Sequence, residues 1–203
     1  MKQILILSAI ATSLAFASAC SREPETTTNR TATTNSNAAV TTNTANTATK
    51  TDDIPAAVKA GFPDAQSFTA LHKDIPKDAI AGIEKDTGAK VPDTDHHSYV
   101  AFSTAGGARK QIGAATVVKA GGKDLIVIYD NKDGSPVIKE VRADGVPAPF
   151  LAQFAGKGHD DDLLFGADIK ANGANETQAK SITEAVRVDL LTMQALYGAS
   201  HAH

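Results

Sequence analysis

The stretch Phe150-Leu151-Ala152-Gln153-Phe154-Ala155-Gly156-Lys157 and the later stretch Asp168-Ile169-Lys170-Ala171-Asn172-Gly173-Ala174-Asn175 lead into a long amphipathic segment. Asn175 is a residue type that caps helix N-termini. Gln178 stands where its side chain can reach back to the cap's own backbone N–H, as in a capping box. We therefore predict a helix that begins at Glu176 and is ended by Gly198.

The apolar residues of this segment recur at spacings of three and four, which places them on one face of a helix that packs on a core. They are Ile182, Val186, Leu190, Met193 and Tyr197. The turn at Gly173 leaves backbone N–H groups free at the start of this helix. Such a turn is a ready anion site, although many helices begin this way without binding anything.

The residues before this motif predict two short helices and a series of strands. Asp53 with Pro55 indicates a capped first helix that runs to Gly61. Gly88 closes a second helix. The predicted elements are a first strand over 66–71, the second helix over 76–86, and strands over 98–104, 110–119, 123–130 and 136–143.

The links between the last strands are short and rich in turn residues, with Gly121-Gly122 in one and 131–134 in the next, so an antiparallel meander is expected. Residues 125–129 are apolar at every position, which predicts a central strand covered on both faces. The fold class predicted is α+β, an antiparallel sheet of about four to five strands flanked by helices, with a long C-terminal helix.

Composition excludes some function classes. The chain of 203 residues has a formal net charge of −3 and is 5% aromatic. It has no basic stripe, so we expect no nucleic-acid partner. Gly106-Gly107 and Gly121-Gly122 precede no helix and are interpreted as hairpin turns rather than phosphate loops.

The N-terminal residues predict export and lipidation. Residues 1–19 are typical of a signal peptide, with Lys2 before a short apolar run. Cys20 is the single cysteine, cannot form an internal disulfide, and follows small residues as a lipid acceptor does. Residues 20–51 then comprise the lipidated N-terminus and a disordered Thr/Asn/Ala-rich tether. Residues 52–198 form the domain, and 199–203 a disordered tail.

Two histidine-containing stretches have residue types that could bind a metal ion. They are Asp93 to His97, with adjacent histidines, and His159 with the three aspartates that follow. Adjacent histidines in an apparent loop point in different directions, and no helical i, i+4 pair exists. We therefore expect solvated loops and no metal site. His201 and His203 lie at a terminus where any metal binding would be adventitious.

The two stretches quoted first also carry a resemblance. The order Phe-Leu-x-Gln-Phe-x-Gly-Lys, an acidic loop, Asp-Ile-x-Ala-x-Gly-Ala and a helix with Thr183-Glu184-Ala185-Val186-Arg187 resembles the FMN-binding domain family. Members of that family occur in the Rnf electron-transport complex and in the sodium-pumping NADH:quinone reductase. Looser likeness extends upstream through Phe62-Pro63-Asp64-Ala65, 112–115, 125–128 and 137–141. The resemblance covers roughly residues 54–198.

The resemblance implies FMN as cofactor, held by Asp168, Asn172, Gly173, Ala174, Asn175, Thr177 and Gln178. Many family members attach FMN through a phosphoester to a Ser or Thr hydroxyl that closes this motif. Here Asn172 stands where the family has a Ser or Thr before the glycine, and Asn175 stands at the position of the acceptor hydroxyl. A carboxamide has no hydroxyl to esterify, so non-covalent FMN is expected, with Thr177 as the alternative attachment point.

These features together predict an exported, lipid-anchored FMN-binding-like domain that acts in envelope electron transfer. No catalytic residue is assigned, because an electron-transfer or binding module is favoured over a stand-alone enzyme. The chain has no reductant domain, so its redox partner would be a separate protein. Lipidated Cys20 would anchor it to a membrane on the periplasmic side, and Ser21 favours the outer over the inner membrane. The alternative is a flavin-less structural or binding lipoprotein that keeps the fold.

Overall fold

A computed structural model describes residues 54–199 of the chain. The predicted signal peptide, Cys20, the tether to residue 51 and the tail beyond Ala199 lie outside the described residues. The cap predicted at Asp53 is wrong, because Pro55 is the N-cap of the first helix. The helices are α1 (Ala56–Gly61), α2 (Lys77–Thr87), α3 (Ala148–Leu151) and α4 (Glu176–Tyr197), and one 3₁₀ turn covers Ala152–Phe154. The strands are β1 (Ser67–Asp74), β2 (Asp95–Ser103), β3 (Lys110–Ala120), β4 (Lys123–Lys132) and β5 (Ser135–Arg142).

The strands form one five-stranded sheet in the order β1-β2-β3-β4-β5, and every neighbouring pair is antiparallel. The predicted meander and the α+β class are therefore confirmed. Gly121 and Gly122 form the β3–β4 turn with φ of 57° and 72°, a left-handed conformation that favours glycine.

The two faces of the sheet bury different cores. Leu125, Val127 and Tyr129 of β4 face the larger core, whereas Ile126 and Ile128 join α1 in a smaller core on the other face. This confirms that β4 is covered on both sides. The middle strand of the sheet, however, is β3, because β5 continues the meander beyond β4.

Helix α4 contributes much of the larger core, and its bounds agree with the prediction. Ile182, Val186 and Leu190 are fully buried, and Met193 is 3% exposed. Tyr197 packs at the margin of the cluster, where its hydroxyl lies 2.9 Å from Ser98 Oγ. Helix α2 packs beside α4. No helix within residues 54–199 combines the length and apolar character needed to cross a membrane.

The structure corrects several element boundaries. Strand β2 begins at Asp95 rather than residue 98, and β1 extends to Asp74, because these two ends pair with each other. Helix α3 and the 3₁₀ turn that follows it were not predicted, since four and three residues are too few to show a helical period.

Candidate functional site

The predicted glycine turn lies at the N-terminus of α4. Asn175 is the N-cap, and its side chain accepts a hydrogen bond from the Gln178 backbone N–H at 3.2 Å. This confirms the cap. The prediction of the reciprocal capping-box bond, from the Gln178 side chain to the backbone of Asn175, is wrong. Gln178 Nε2 instead donates to the carbonyl of Gly121 in the β3–β4 turn at 3.1 Å. The Gln178 side chain thus joins α4 to the sheet.

The turn itself has a left-handed backbone. Asn172 has φ of 40° and Gly173 has φ of 89°, and the Ala174 amide donates to the Ala171 carbonyl at 2.8 Å. A β-carbon on Gly173 would meet Pro147 at an ordinary contact distance of 3.9 Å. The protein therefore leaves space at Gly173, and the glycine is required by its backbone angle rather than by crowding.

In the structure, the two stretches that resemble FMN-binding domains, residues 150–157 and 168–175, lie in contact. The Gln153 carboxamide accepts a hydrogen bond from the Lys170 amide at 2.9 Å and donates to the Lys170 carbonyl at 2.8 Å. Phe150, Phe154 and Ile169 are fully buried in the core below these bonds. The residues after β5 and the turn before α4 are consequently one substructure.

The remaining predicted residues have separate positions. The Asp168 carboxylate accepts a hydrogen bond from the Leu164 amide at 2.9 Å and so holds the preceding turn. Thr177 is exposed in the first turn of α4. The amides of Glu176 and Thr177 have no hydrogen-bond acceptor within residues 54–199, as expected for the first turn of a helix. These donors are what a phosphate would use.

One aspartate of the acidic loop is a structural residue. Asp161 accepts hydrogen bonds from Lys157 Nζ at 2.8 Å and from the Gly158 amide at 2.9 Å. Partial burial raises the pKa of Asp161, but these bonds and the Lys157 charge outweigh it and leave the pKa lowered. The charge of Asp161 is therefore partly neutralised beside the substructure that Gln153 and Lys170 join.

A buried polar cluster lies between α4 and the sheet, and the sequence analysis missed it. Asp189 of α4 is 7% exposed and accepts hydrogen bonds from Thr116 Oγ1 at 2.5 Å and Tyr129 Oη at 2.7 Å. His96 Nε2 lies 3.0 Å from its other oxygen. Asp189 falls three positions after Val186 and four before Met193, so a charge within the apolar stripe was the available signal.

Burial controls the chemistry of this cluster. Burial, followed by the neighbouring Asp189 charge, raises the pKa of Tyr129 well above its usual value. Tyr129 therefore stays protonated and donates. His96 Nδ1 is buried and has no hydrogen-bond partner within the described part of the chain.

His96 and Asp189 also line a groove of about 680 Å³ between α4 and the sheet. Its wall includes further polar residues, among them Lys119, Ser181 and Glu184, and it extends to Asp95 and His97 of β2. The groove is distinct from the Gly173 turn, since none of residues 168–178 lines it. The turn at Gly173 and this mixed groove are therefore separate candidate ligand sites.

The histidine stretch is not a loop, as expected from sequence, but the start of β2. Alternation along the strand places His96 toward α4 and His97 on the opposite face. There the His97 and Asp95 side chains meet His72 of β1. Sequence reasoning missed His72, because only the β1–β2 register brings it opposite His97.

Comparison with known proteins gives no relative: no family model, no curated protein and no solved structure matches the chain.

Proposed function

We propose that this protein is an exported, lipid-anchored FMN-binding domain that carries electrons between separate partner proteins in the cell envelope. The flavin is held without a covalent bond, with its phosphate at the Gly173 turn. Export and anchoring rest on residues 1–20, which lie outside the described residues.

The observation that carries the proposal is the pair of hydrogen bonds between Gln153 and Lys170. These bonds join the two stretches on which the resemblance to FMN-binding domains depends, although Gln153 and Lys170 are 17 residues apart in the chain. The turn at Gly173 follows Lys170 in the chain, and the Glu176 and Thr177 amides begin the helix directly after it. A phosphate there would also gain about 0.3–1 kcal/mol from the helix dipole.

When bound, FMN would supply the redox chemistry, and the protein would supply position and electrostatics. The chain's own side chains hold the turn before α4 in shape. Asn175 caps α4, Gln178 fixes the helix start to the β3–β4 turn, and Asp168 holds the loop before it. No proton transfer by a side chain is required.

A second candidate function is a flavin-less binding lipoprotein of the same fold. The observation that favours it is that Asn175 and Asp168 already use their side chains within the protein. In that case the groove with His96 and Asp189 is the ligand site.

The full chain purified from its own host separates the two candidates. The FMN proposal predicts a yellow protein whose flavin is released on denaturation, with no fluorescent band after denaturing electrophoresis. A colourless protein that takes up no added FMN supports the second candidate. A fluorescent band that disappears in Thr177→Ala would move attachment to Thr177.

Asn175→Thr gives a sharper test of the missing hydroxyl. Threonine also caps helices, so the fold is retained while a hydroxyl is supplied at the acceptor position. Co-expression with a flavin-attaching enzyme should then give a covalent flavin band. Asn175→Asp is the matched control, since it caps the helix but provides no hydroxyl.

A further inference from the structure

Two imidazoles and one carboxylate converge on the sheet face that α1 packs against. His72 of β1 and His97 of β2 are direct register partners in the antiparallel ladder. Asp95 lies two positions before His97 and therefore on the same face of β2. The backbone of two paired strands thus holds all three side chains side by side.

One carboxylate oxygen is shared by both histidines. Asp95 Oδ2 lies 2.8 Å from His97 Nε2 and 3.5 Å from His72 Nδ1. The two imidazole centroids are 3.9 Å apart. One potential ligand atom from each residue lies within 4.8 Å of the other two.

These spacings are close to the distances between neighbouring ligand atoms in a metal site. Zinc bonds of about 2.0–2.1 Å to nitrogen and oxygen, in tetrahedral geometry, place neighbouring ligand atoms roughly 3.3 Å apart. The two distances to Asp95 Oδ2 lie on either side of that value. Small side-chain rotations would therefore bring three donors onto one ion.

We propose that His72, Asp95 and His97 bind a zinc-like divalent cation on this face of the sheet. The ligand types determine the class of ion, because imidazole with carboxylate suits Zn²⁺, Cu²⁺ or Ni²⁺, whereas Mg²⁺ and Ca²⁺ prefer oxygen ligands throughout. Three protein ligands leave a coordination position open for water or a ligand atom from another molecule.

The site is accessible and built on rigid elements. The side chains of His72, Asp95 and His97 are 44%, 41% and 53% exposed, so an ion can enter without opening the fold. Asp74 pairs with Asp95 in the ladder and adds negative charge at the same strand ends. This inference is independent of FMN binding, since none of these residues belongs to the turn before α4.

Zinc titration of the full chain by calorimetry tests the proposal. All samples carry Cys20→Ser, His201→Ala and His203→Ala, which remove the other thiol and terminal imidazole ligands. The expected result is one Zn²⁺ per chain with a Kd below about 0.1 mM, and no Mg²⁺ binding over that range. His72→Ala, Asp95→Asn and His97→Ala should each weaken binding at least about tenfold.

His159→Ala is the matched control, because it removes an imidazole elsewhere and should leave the affinity unchanged. The thermal unfolding midpoint of each variant establishes that it is folded. Visible absorption of the Co²⁺ complex gives a second measurement, with ligand-field bands that the His97→Ala variant should lose. Zinc affinity that is absent, or equal in the wild-type chain and His97→Ala, would overturn the proposal.

Discussion

Tyr129 on β4 donates its phenolic hydrogen to the Asp189 carboxylate on α4 at 2.7 Å, in the middle of the larger core. Two further polar groups, from Thr116 and His96, meet the same carboxylate. A single helical aspartate therefore satisfies polar side chains from three strands. This arrangement makes α4 and the sheet depend on one another.

We predict that Asp189→Ala destabilises the fold by about 3 kcal/mol or more, because it leaves three buried polar groups without their partner. Asp189→Asn should cost less, since its carboxamide oxygen can still accept the hydrogen bonds from Thr116 and Tyr129. Urea unfolding measures both. Asp124→Asn, at an exposed ion pair with Lys119, is the control and should stay within about 0.5 kcal/mol of wild type.

The raised pKa of Tyr129 predicts a loss of stability in alkali. The folded protein holds the phenol protonated, so this stability is complete below the unfolded tyrosine pKa of about 10 and declines as pH rises above it. Unfolding free energies measured between pH 8 and 11 should show this decline.

Tyr129→Phe should flatten the alkaline decline while costing about 1 kcal/mol at neutral pH for the lost hydrogen bond. An unchanged pH slope in this variant would show that other groups cause the decline. Tyr197 serves as the comparison for Tyr129. Burial raises the pKa of both tyrosines, but the Tyr197 hydroxyl bonds to Ser98 rather than to a carboxylate.

The contact between the β3–β4 turn and α4 predicts unequal effects of two adjacent glycines. A β-carbon on Gly121 would lie 2.8 Å from Gln178 Cγ, whereas one on Gly122 meets nothing within 4 Å. Both positions have positive φ, so Gly122→Ala measures the backbone strain alone, about 1 kcal/mol. Gly121→Ala should cost roughly 1 kcal/mol more, since Gln178 must move and lose its bond to the Gly121 carbonyl. Equal losses in thermal or urea unfolding would contradict this account of the turn.

Cys20→Ser should release the protein from the membrane into the soluble fraction, because it removes the atom that would carry the lipid. Fractionation of cells that express the full chain, followed by detection of the protein, measures this. Ser21→Ala, which leaves the thiol in place, is the control for a change at the same junction. Retention of Cys20→Ser with the membrane would contradict lipid anchoring.

Local patterns predicted those parts of the fold that depend on neighbours in sequence. The helical period of apolar residues from Ile182 to Met193 predicted α4, and the glycine turns predicted the hairpins. Contacts between distant residues were not predictable in this way. Gln178 satisfies the Gly121 carbonyl rather than its own cap, because tertiary structure brings the β3–β4 turn within its reach.

The same limit applies to the candidate sites. Asn175 was identifiable as a cap from its residue type and position. His72 lies beside His97 only because of the register between β1 and β2. The spacing of residues in the sequence does not predict that register. Asp189 was visible as a charge within an apolar stripe, but its three partners come from three different strands.

Titration of FMN by flavin fluorescence is the most direct measurement of the central claim, with riboflavin as the analogue that lacks the phosphate. We predict that the full chain binds FMN more tightly than riboflavin. Gly173→Val should abolish FMN binding, while Gly107→Val, with similar φ in the turn between β2 and β3, should not. No FMN binding by wild type or Asn175→Thr at up to about 1 mM, which corresponds to only about 4 kcal/mol, would contradict the account and favour the flavin-less lipoprotein.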